Sequence, residues 1–206
     1  MATDDGHERI DGRGARRDRN RAAVVAAVVA LFEGGVLAPD PEEVAARSGV
    51  SVRSVYRYFE DRDDLLLASL AHHQRQYAHL GLISEIGQGT LEDRIDRFLD
   101  SRLALHETIG ATARTARALA RSQELHRRQL DRAHANFRRQ VELQFAPELK
   151  AMGARRRKLV EPTVDVLCQF ESLDLLRLHR GLTARETRRV LAEMLATLLQ
   201  TPIPME

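Results

Sequence analysis

Arg53, Ser54, Tyr56, Arg57 and Tyr58 cluster within six consecutive positions, and all have side chains that hydrogen-bond anions or planar bases. A guanidinium can hold a phosphate or the edge of a guanine with two parallel N–H donors, and serine and tyrosine hydroxyls bond phosphate oxygens. From Val44 to Phe59 there are three arginines and no acid. Chemistry of this kind needs a rigid support that turns these side chains outward, and the neighbouring residues provide one. Asp40 is placed to cap a short helix with Pro41 at its first position, where proline is best tolerated. Gly49 can take positive φ without the penalty of a Cβ. Ser51 can then cap a second helix by accepting from its first free amides. In that helix Val55 and Phe59 fall at i and i+4, an inward stripe that leaves Arg53, Ser54, Arg57 and Tyr58 facing out. The spacing predicts a helix-turn-helix over 40–59, with helices at about 41–48 and 52–59. A purely structural hairpin with a solvated arginine face fits the same spacing. Gly49, Ser51 and the Tyr56/Phe59 pair favour contact with duplex DNA.

The elements that would carry this hairpin are also helical. Residues 1–15 read as a flexible polar arm. A first helix is expected from about Arg17 to Glu33, with Val24, Val25, Val28, Val29 and Phe32 giving a broad apolar face, ended by Gly34-Gly35. A fourth helix opens near Arg62 and runs through Leu65-Leu66-Leu67 towards Leu80. Gly81, Gly87 and Gly89 mark a linker. Beyond it, helices are expected at about Leu91–Ile109, Thr112–Ala120, Gln123–Ala146 (stopped before Pro147) and Ala154–His179. Thr183 and Glu186 form a capping box for a last helix that ends around Gln200, before Pro202 and Pro204. No strand-like alternation and no internal repeat occurs. The expected architecture is all-α: an N-terminal helix-turn-helix domain over 16–62 and a C-terminal helical bundle over 63–206.

Composition narrows the functional classes. Hydrophobic residues make up 43% and charged residues 30% of the 206 positions, which suits a globular chain. The net charge of +2 neither demands nor excludes nucleic acid, so the basic character is local. It includes five arginines against one aspartate from Arg13 to Arg21. That run reads equally as a solvated tail or as an arm reaching a minor groove, with Asp11 and Asp18 weakening the second reading. One cysteine, Cys168, excludes an intrachain disulfide and reads as a small core residue; with no signal peptide or membrane span, the expected location is the cytoplasm. His72, His73 and His79 lack the spacing and partners of a metal site, so no metal or other cofactor is expected. No nucleophile elbow, phosphate loop or catalytic pair is present, and no enzymatic activity is expected.

The segment from Arg21 to Leu67 resembles the TetR/AcrR family of transcriptional regulators. The likeness lies in Val24…Leu31-Phe32…Gly35, then Val44-Ala45…Gly49-Val50-Ser51…Val55-Tyr56-Arg57-Tyr58-Phe59…Arg62…Leu65-Leu66. It covers less than a quarter of the chain; the remainder agrees only in being helical. The resemblance implies a DNA-contacting set of Ser51, Val52, Arg53, Ser54, Tyr56, Arg57, Tyr58 and Arg62. Val52 and Arg53 would approach bases; Ser54, Tyr56 and Tyr58 would touch phosphates; Arg62 would hold the backbone, and Arg57 could serve either. The family usually has lysine at the position of Arg62 and often glycine or alanine near Arg53, so an arginine there offers extra guanine recognition.

The same resemblance implies a homodimer, a double-stranded palindromic operator and an unknown small-molecule effector, with no membrane partner. The C-terminal helices carry generous apolar surface, from Val160 to Leu178 and from Val190 to Leu199. The resemblance places the dimer interface there, at Val164, Leu167, Leu175, Leu178, Val190, Met194, Leu195 and Leu198. Burial within one subunit explains the same residues. The implied effector pocket would draw on Arg102, His106, Arg114, Arg117 and Gln169. Two other readings stay open: a helical small-molecule-binding protein or enzyme whose N-terminal hairpin is structural, and a regulator that needs no ligand.

Overall fold

The structure, a computed structural model, describes residues 5–36, 39–121 and 124–200, with side chains from residue 12 onward. Residues 1–4 of the expected arm, Gln123, and the prolines at 202 and 204 lie outside the described residues. Among the described residues every regular element is helical.

The first helix, α1 (Asp5–Glu33), begins well before Arg17. Residues 12–19 are exposed, so no packing selects the helix there. Arginine and alanine are good helix formers, and extending a helix already nucleated by a packed segment costs little even across Gly12 and Gly14. Its end is a Schellman motif. Val36 N–H donates to Leu31 O at 2.9 Å and Gly35 N–H to Phe32 O at 3.0 Å. Gly35 takes the φ of +86° that this closure requires.

Helix α2 (Pro41–Ser48) starts on a reciprocal capping box between Asp40 and Glu43, and α3 (Val52–Tyr58) follows a turn at Gly49. Helix α4 (Arg62–Tyr77) is capped by Asp61 and runs into a 3₁₀ turn at Ala78–Gly81. The four helices close on one core containing Val24, Val28 and Phe32 of α1, Val44 of α2, Val55 and Tyr58 of α3, and Leu65, Leu66 and Leu70 of α4.

Helix α5 (Leu91–Ala120) is unbroken, where the sequence predicts an interruption between Ile109 and Thr112. Glycine within a helix costs about 1 kcal/mol relative to alanine, less than the burial of residues on both sides of Gly110 returns. The glycine is also useful, because a Cβ there would come within 3.4 Å of the Arg114 guanidinium and 3.7 Å of the His106 ring. Helix α6 (Glu124–Gln144) ends before Pro147, which sits in the first turn of α7 (Ala146–Ala151). The predicted single helix over 154–179 is divided. Helix α8 (Ala154–Leu167) stops at Cys168, and Gln169 is extended before α9 (Phe170–Asp174), which passes into a π-helical turn at Leu175–His179. The break lets Val164, Cys168 and Leu173 all enter the same core. Helix α10 (Ala184–Gln200) closes the bundle, with the Thr183/Glu186 capping box formed.

The C-terminal core joins Phe98 and Leu99 of α5, Val141 and Phe145 at the end of α6, Val160 and Val164 of α8, and Leu191, Leu195 and Leu199 of α10. Burial therefore corrects two residues expected at a dimer surface. Val164 and Leu195 are wholly enclosed within the subunit, because each sits on the stripe of its helix that faces the core. Leu167, Val190 and Leu198 are partly buried, while Leu175, Leu178 and Met194 are exposed. Two apolar residues not singled out by the sequence, Leu159 and Val166, are exposed on α8.

The two cores meet along α5. Ala116 and Leu119 pack against the N-terminal core. Buried His73 of α4 pairs with Thr112 of α5 at 3.0 Å and with Glu33 at the end of α1 at 3.3 Å. No helix among the described residues is long and apolar enough to cross a membrane.

Candidate nucleic-acid interface

The outward face is created by what α3 buries. Val55, Tyr58 and Phe59 are locked into the N-terminal core, and Gly49, in the left-handed region at φ +69°, turns the chain so that α3 crosses α2. Ser51 lies at the start of α3 but makes no side-chain cap. Its hydroxyl instead donates to Ser54 Oγ at 3.1 Å, while its carbonyl accepts from the Ser54 and Val55 amides. The Ser54 amide is thus satisfied by the Ser51 carbonyl and not by its hydroxyl.

On the outer side Arg53, Tyr56 and Arg57 are exposed, Tyr56 to 59%, and Val52 and Ser54 are half-buried at the rim. The Arg53 side chain has no hydrogen bond or ion pair among the described residues. Arg62 is exposed at the first turn of α4, where its Nη2 donates to Pro39 O at 3.1 Å and so ties the start of α4 to the loop before α2. Three cationic side chains are thus exposed on α3 and the start of α4, while Val55, Phe59 and Leu65 fix these helices from behind.

Tyr58 departs from the expected outward set. Its ring is 8% exposed and belongs to the core. Three residues after Val55 it falls on the same inward stripe, and its ring packs towards α1, where its hydroxyl meets Asn20. Its hydroxyl accepts from Asn20 Nδ2 at 3.3 Å and from Arg57 Nη2 at 3.2 Å. Those bonds, Asn20 first, hold the phenol below its ordinary pKa and make it a better donor of its remaining proton. Asn20 was not picked out by the sequence, and Arg21 was read only as the end of a basic run. Arg21 lies over the Phe59 ring at 4.8 Å, which aligns the basic side of α1 with α3. The Arg13–Arg21 run is accordingly helical and exposed over its described side chains.

The residues expected to line an effector pocket do not converge. His106 and Arg114 reach Asp174 Oδ1 at 2.9 and 3.0 Å, and Arg117 bonds its other oxygen. Asp174 is buried and unforeseen from sequence, since nothing local marks its carboxylate as the meeting point of three side chains. Arg117 and Gln169 do line a small, mainly apolar slot of about 70 Å³ between α5 and α6, together with Gln74, Ala116, His126 and Phe137. Arg102 is 1% exposed and lies behind Phe137. Cys168 is buried in the same region, its thiol pushed up to about 12 by desolvation, which makes it unreactive at neutral pH. Among the described residues no group of three or more His, Cys, Asp or Glu could hold a metal ion.

Residues 24–69 match the family model for bacterial regulatory proteins of the tetR family, a span that takes in the end of α1, α2, α3 and the first half of α4. The fold is similar to the crystal structure of a proposed transcriptional regulator from Pseudomonas aeruginosa PAO1, with a TM-score of 0.62 at 18% identity, covering 90% of this chain and 91% of the other. No curated protein matches the sequence.

Proposed function

We propose that this chain, a member of the tetR family of bacterial regulatory proteins by its unit at residues 24–69, regulates transcription as a homodimer that releases a palindromic operator when a small effector binds. The observation that carries the reading is the outer face of α3, where Arg53, Tyr56 and Arg57 stand free of the core while Val55 and Phe59 hold the helix from behind. Two such helices, related by a twofold axis, would enter successive major grooves about one helical turn, or roughly 34–36 Å, apart. Arg53 is the residue assigned to base edges, with Val52 beside it. Ser51, Ser54, Tyr56, Arg57 and Arg62 are assigned to phosphates. Tyr58 contributes at most its hydroxyl and otherwise positions Arg57.

The dimer surface is assigned to the exposed faces of α8 and α10, which pack together through Arg156 Nη2 and Leu198 O at 2.9 Å. Leu159 and Val166 of α8 and Met194 of α10 are exposed apolar residues there, with Val190 and Leu198 of α10 part-buried. Covering such a surface with its symmetric copy removes apolar area from water and fixes the spacing of the two recognition helices.

Effector control is assigned to the slot between α5 and α6. Ala116 lines that slot and also packs against the N-terminal core, and Gln74 brings α4 to its wall. A ligand that widens the slot therefore pushes on both helices that carry the DNA-binding unit. Release follows only if the ligand prefers the widened form, as a population shift requires. Selection of bound fragments from random duplex DNA tests the whole reading: enrichment of an inverted repeat is expected, and a pool that stays random at low salt overturns it.

A further inference from the structure

Arg102 is a cation enclosed without a salt bridge among the described residues; the Asp165 carboxylate acts on it only from beyond contact distance. Its guanidinium is sandwiched by aromatic rings, with Cζ 4.6 Å from the Phe98 centroid and 4.3 Å from that of Phe137. Nη2 makes one long bond to Phe137 O at 3.5 Å, and Nε and Nη1 are buried with no partner. Burial lowers its pKa to about 10, so it remains charged at neutral pH. Enclosing a charge with two vacant donors is costly, and the ring faces recover only part of that cost.

The slot in front of Phe137 carries further unsatisfied polar atoms. Gln169 donates its amide to Asp165 at 2.6 Å, but its Oε1 is buried and unpaired. At the far end, His126 is buried with both ring nitrogens unpaired, and desolvation lowers its pKa so that the neutral ring offers one donor and one acceptor. The sole carboxylate on the wall, Glu171, is already paired with Arg117 and His134. Apart from Gln74 and Gln129, the rest of the lining is aliphatic and aromatic.

We infer that the slot binds a small monocarboxylic acid with an apolar aromatic or short acyl body, its carboxylate taken by the vacant N–H donors of Arg102 and its body lying along α6 towards His126. The inference rests on the effector reading above and adds the ligand's charge and class. A carboxylate on Nε and Nη1 would satisfy both in the bidentate geometry that guanidinium favours. An uncharged molecule of the same shape would fill the apolar part and leave the cation unpaired. The cavity holds only a few water-sized volumes, at about 10–15 Å³ each, so Phe137 must swing aside to admit the acid to Arg102.

The test uses the full-length protein, titrated calorimetrically at neutral pH with benzoate, phenylpropionate, hexanoate and octanoate, each beside its primary amide. At least one acid should bind about tenfold or more tighter than its amide, the scale of one charge-assisted hydrogen bond. Arg102→Met should erase that difference, and Arg102→Lys, which keeps the charge if the methionine variant fails to fold, should retain part of it. Equal binding of acid and amide, an acid preference that survives Arg102→Met, or no binding by any acid at millimolar concentration overturns the inference. Repeating the titrations with operator duplex separates the two readings. Acid binding that leaves DNA affinity unchanged keeps this site and ends its role as an effector site. Loss of DNA affinity on adding only a neutral compound keeps effector control and ends the carboxylate assignment.

Discussion

The N-terminal core is closed by aliphatic and aromatic side chains and keeps Arg53, Arg57 and Arg62 outside, whereas the C-terminal bundle draws Arg94, Arg102 and Asp174 into its interior. The same residue type is therefore under opposite constraints. An exposed guanidinium keeps its hydration until a phosphate replaces it, so the N-terminal unit can offer charge to a duplex without weakening its own fold. A buried guanidinium or carboxylate must find partners inside the subunit. Asp174 finds three, and Arg102 makes no ion pair among the described residues. The first region is suited to contact with a polyanion, and the second to discrimination of one small molecule.

Substitutions can break or sharpen this contrast. The largest effect is expected from Phe32→Ala, which empties the centre of the dry N-terminal core and should cost about 3–5 kcal/mol, read by chemical denaturation. A loss under 1 kcal/mol would mean that this core is not what holds α3. Next, Asp174→Ala removes the acceptor shared by His106, Arg114 and Arg117, and should cost about 2–3 kcal/mol, below the range for a fully enclosed pair because Arg114 is partly open to solvent. Stability unchanged by that substitution would erase the distinction between the two interiors.

Gly49→Val should cost about 1–2 kcal/mol through the left-handed backbone alone, since no atom lies near a Cβ at that position. Gly49→Asn should cost less, as asparagine tolerates that region. Equal costs would point to crowding and not conformation.

The smallest effect concerns the seam between the regions. Burial is the main cause that lowers the His73 pKa, partly opposed by Glu33, so the folded protein favours a neutral ring, whose Nε2 faces the Glu33 carboxylate and whose Nδ1 faces the Thr112 hydroxyl, which itself donates to Ile109 O. The unfolded chain takes up a proton near the ordinary value of 6.5, before the folded one does. The resulting stability is present above that pH and is lost as pH falls towards the folded pKa. Wild type should therefore lose more stability on acidification than His73→Gln. Parallel pH curves for the two would contradict the assignment.

What the sequence made legible is what local rules govern. The turn at Gly49, the capping boxes at Asp40 and Thr183, and the inward pair Val55/Phe59 each depend on residues within a few positions. Features fixed by distant partners were not legible. Tyr58 packs inward towards Asn20 of α1, and Gly110 failed to end α5 because neighbouring turns are buried. Val164 and Leu195 read as surface until the helices that cover them were in place. The pocket set misled for the same reason. His106, Arg114 and Arg117 look like ligand groups on a helix face, and only the placement of α9 shows that Asp174 already holds them.

The most direct measurement compares wild type and Arg53→Ala on the duplex enriched by selection and on the same duplex with the outer base pairs changed. If the exposed face of α3 reads bases, wild type should prefer its own duplex and the alanine variant should lose about 1–3 kcal/mol of that preference while remaining folded. An Arg53→Ala protein that discriminates the two duplexes as well as wild type would contradict the assignment of α3 as the reading element.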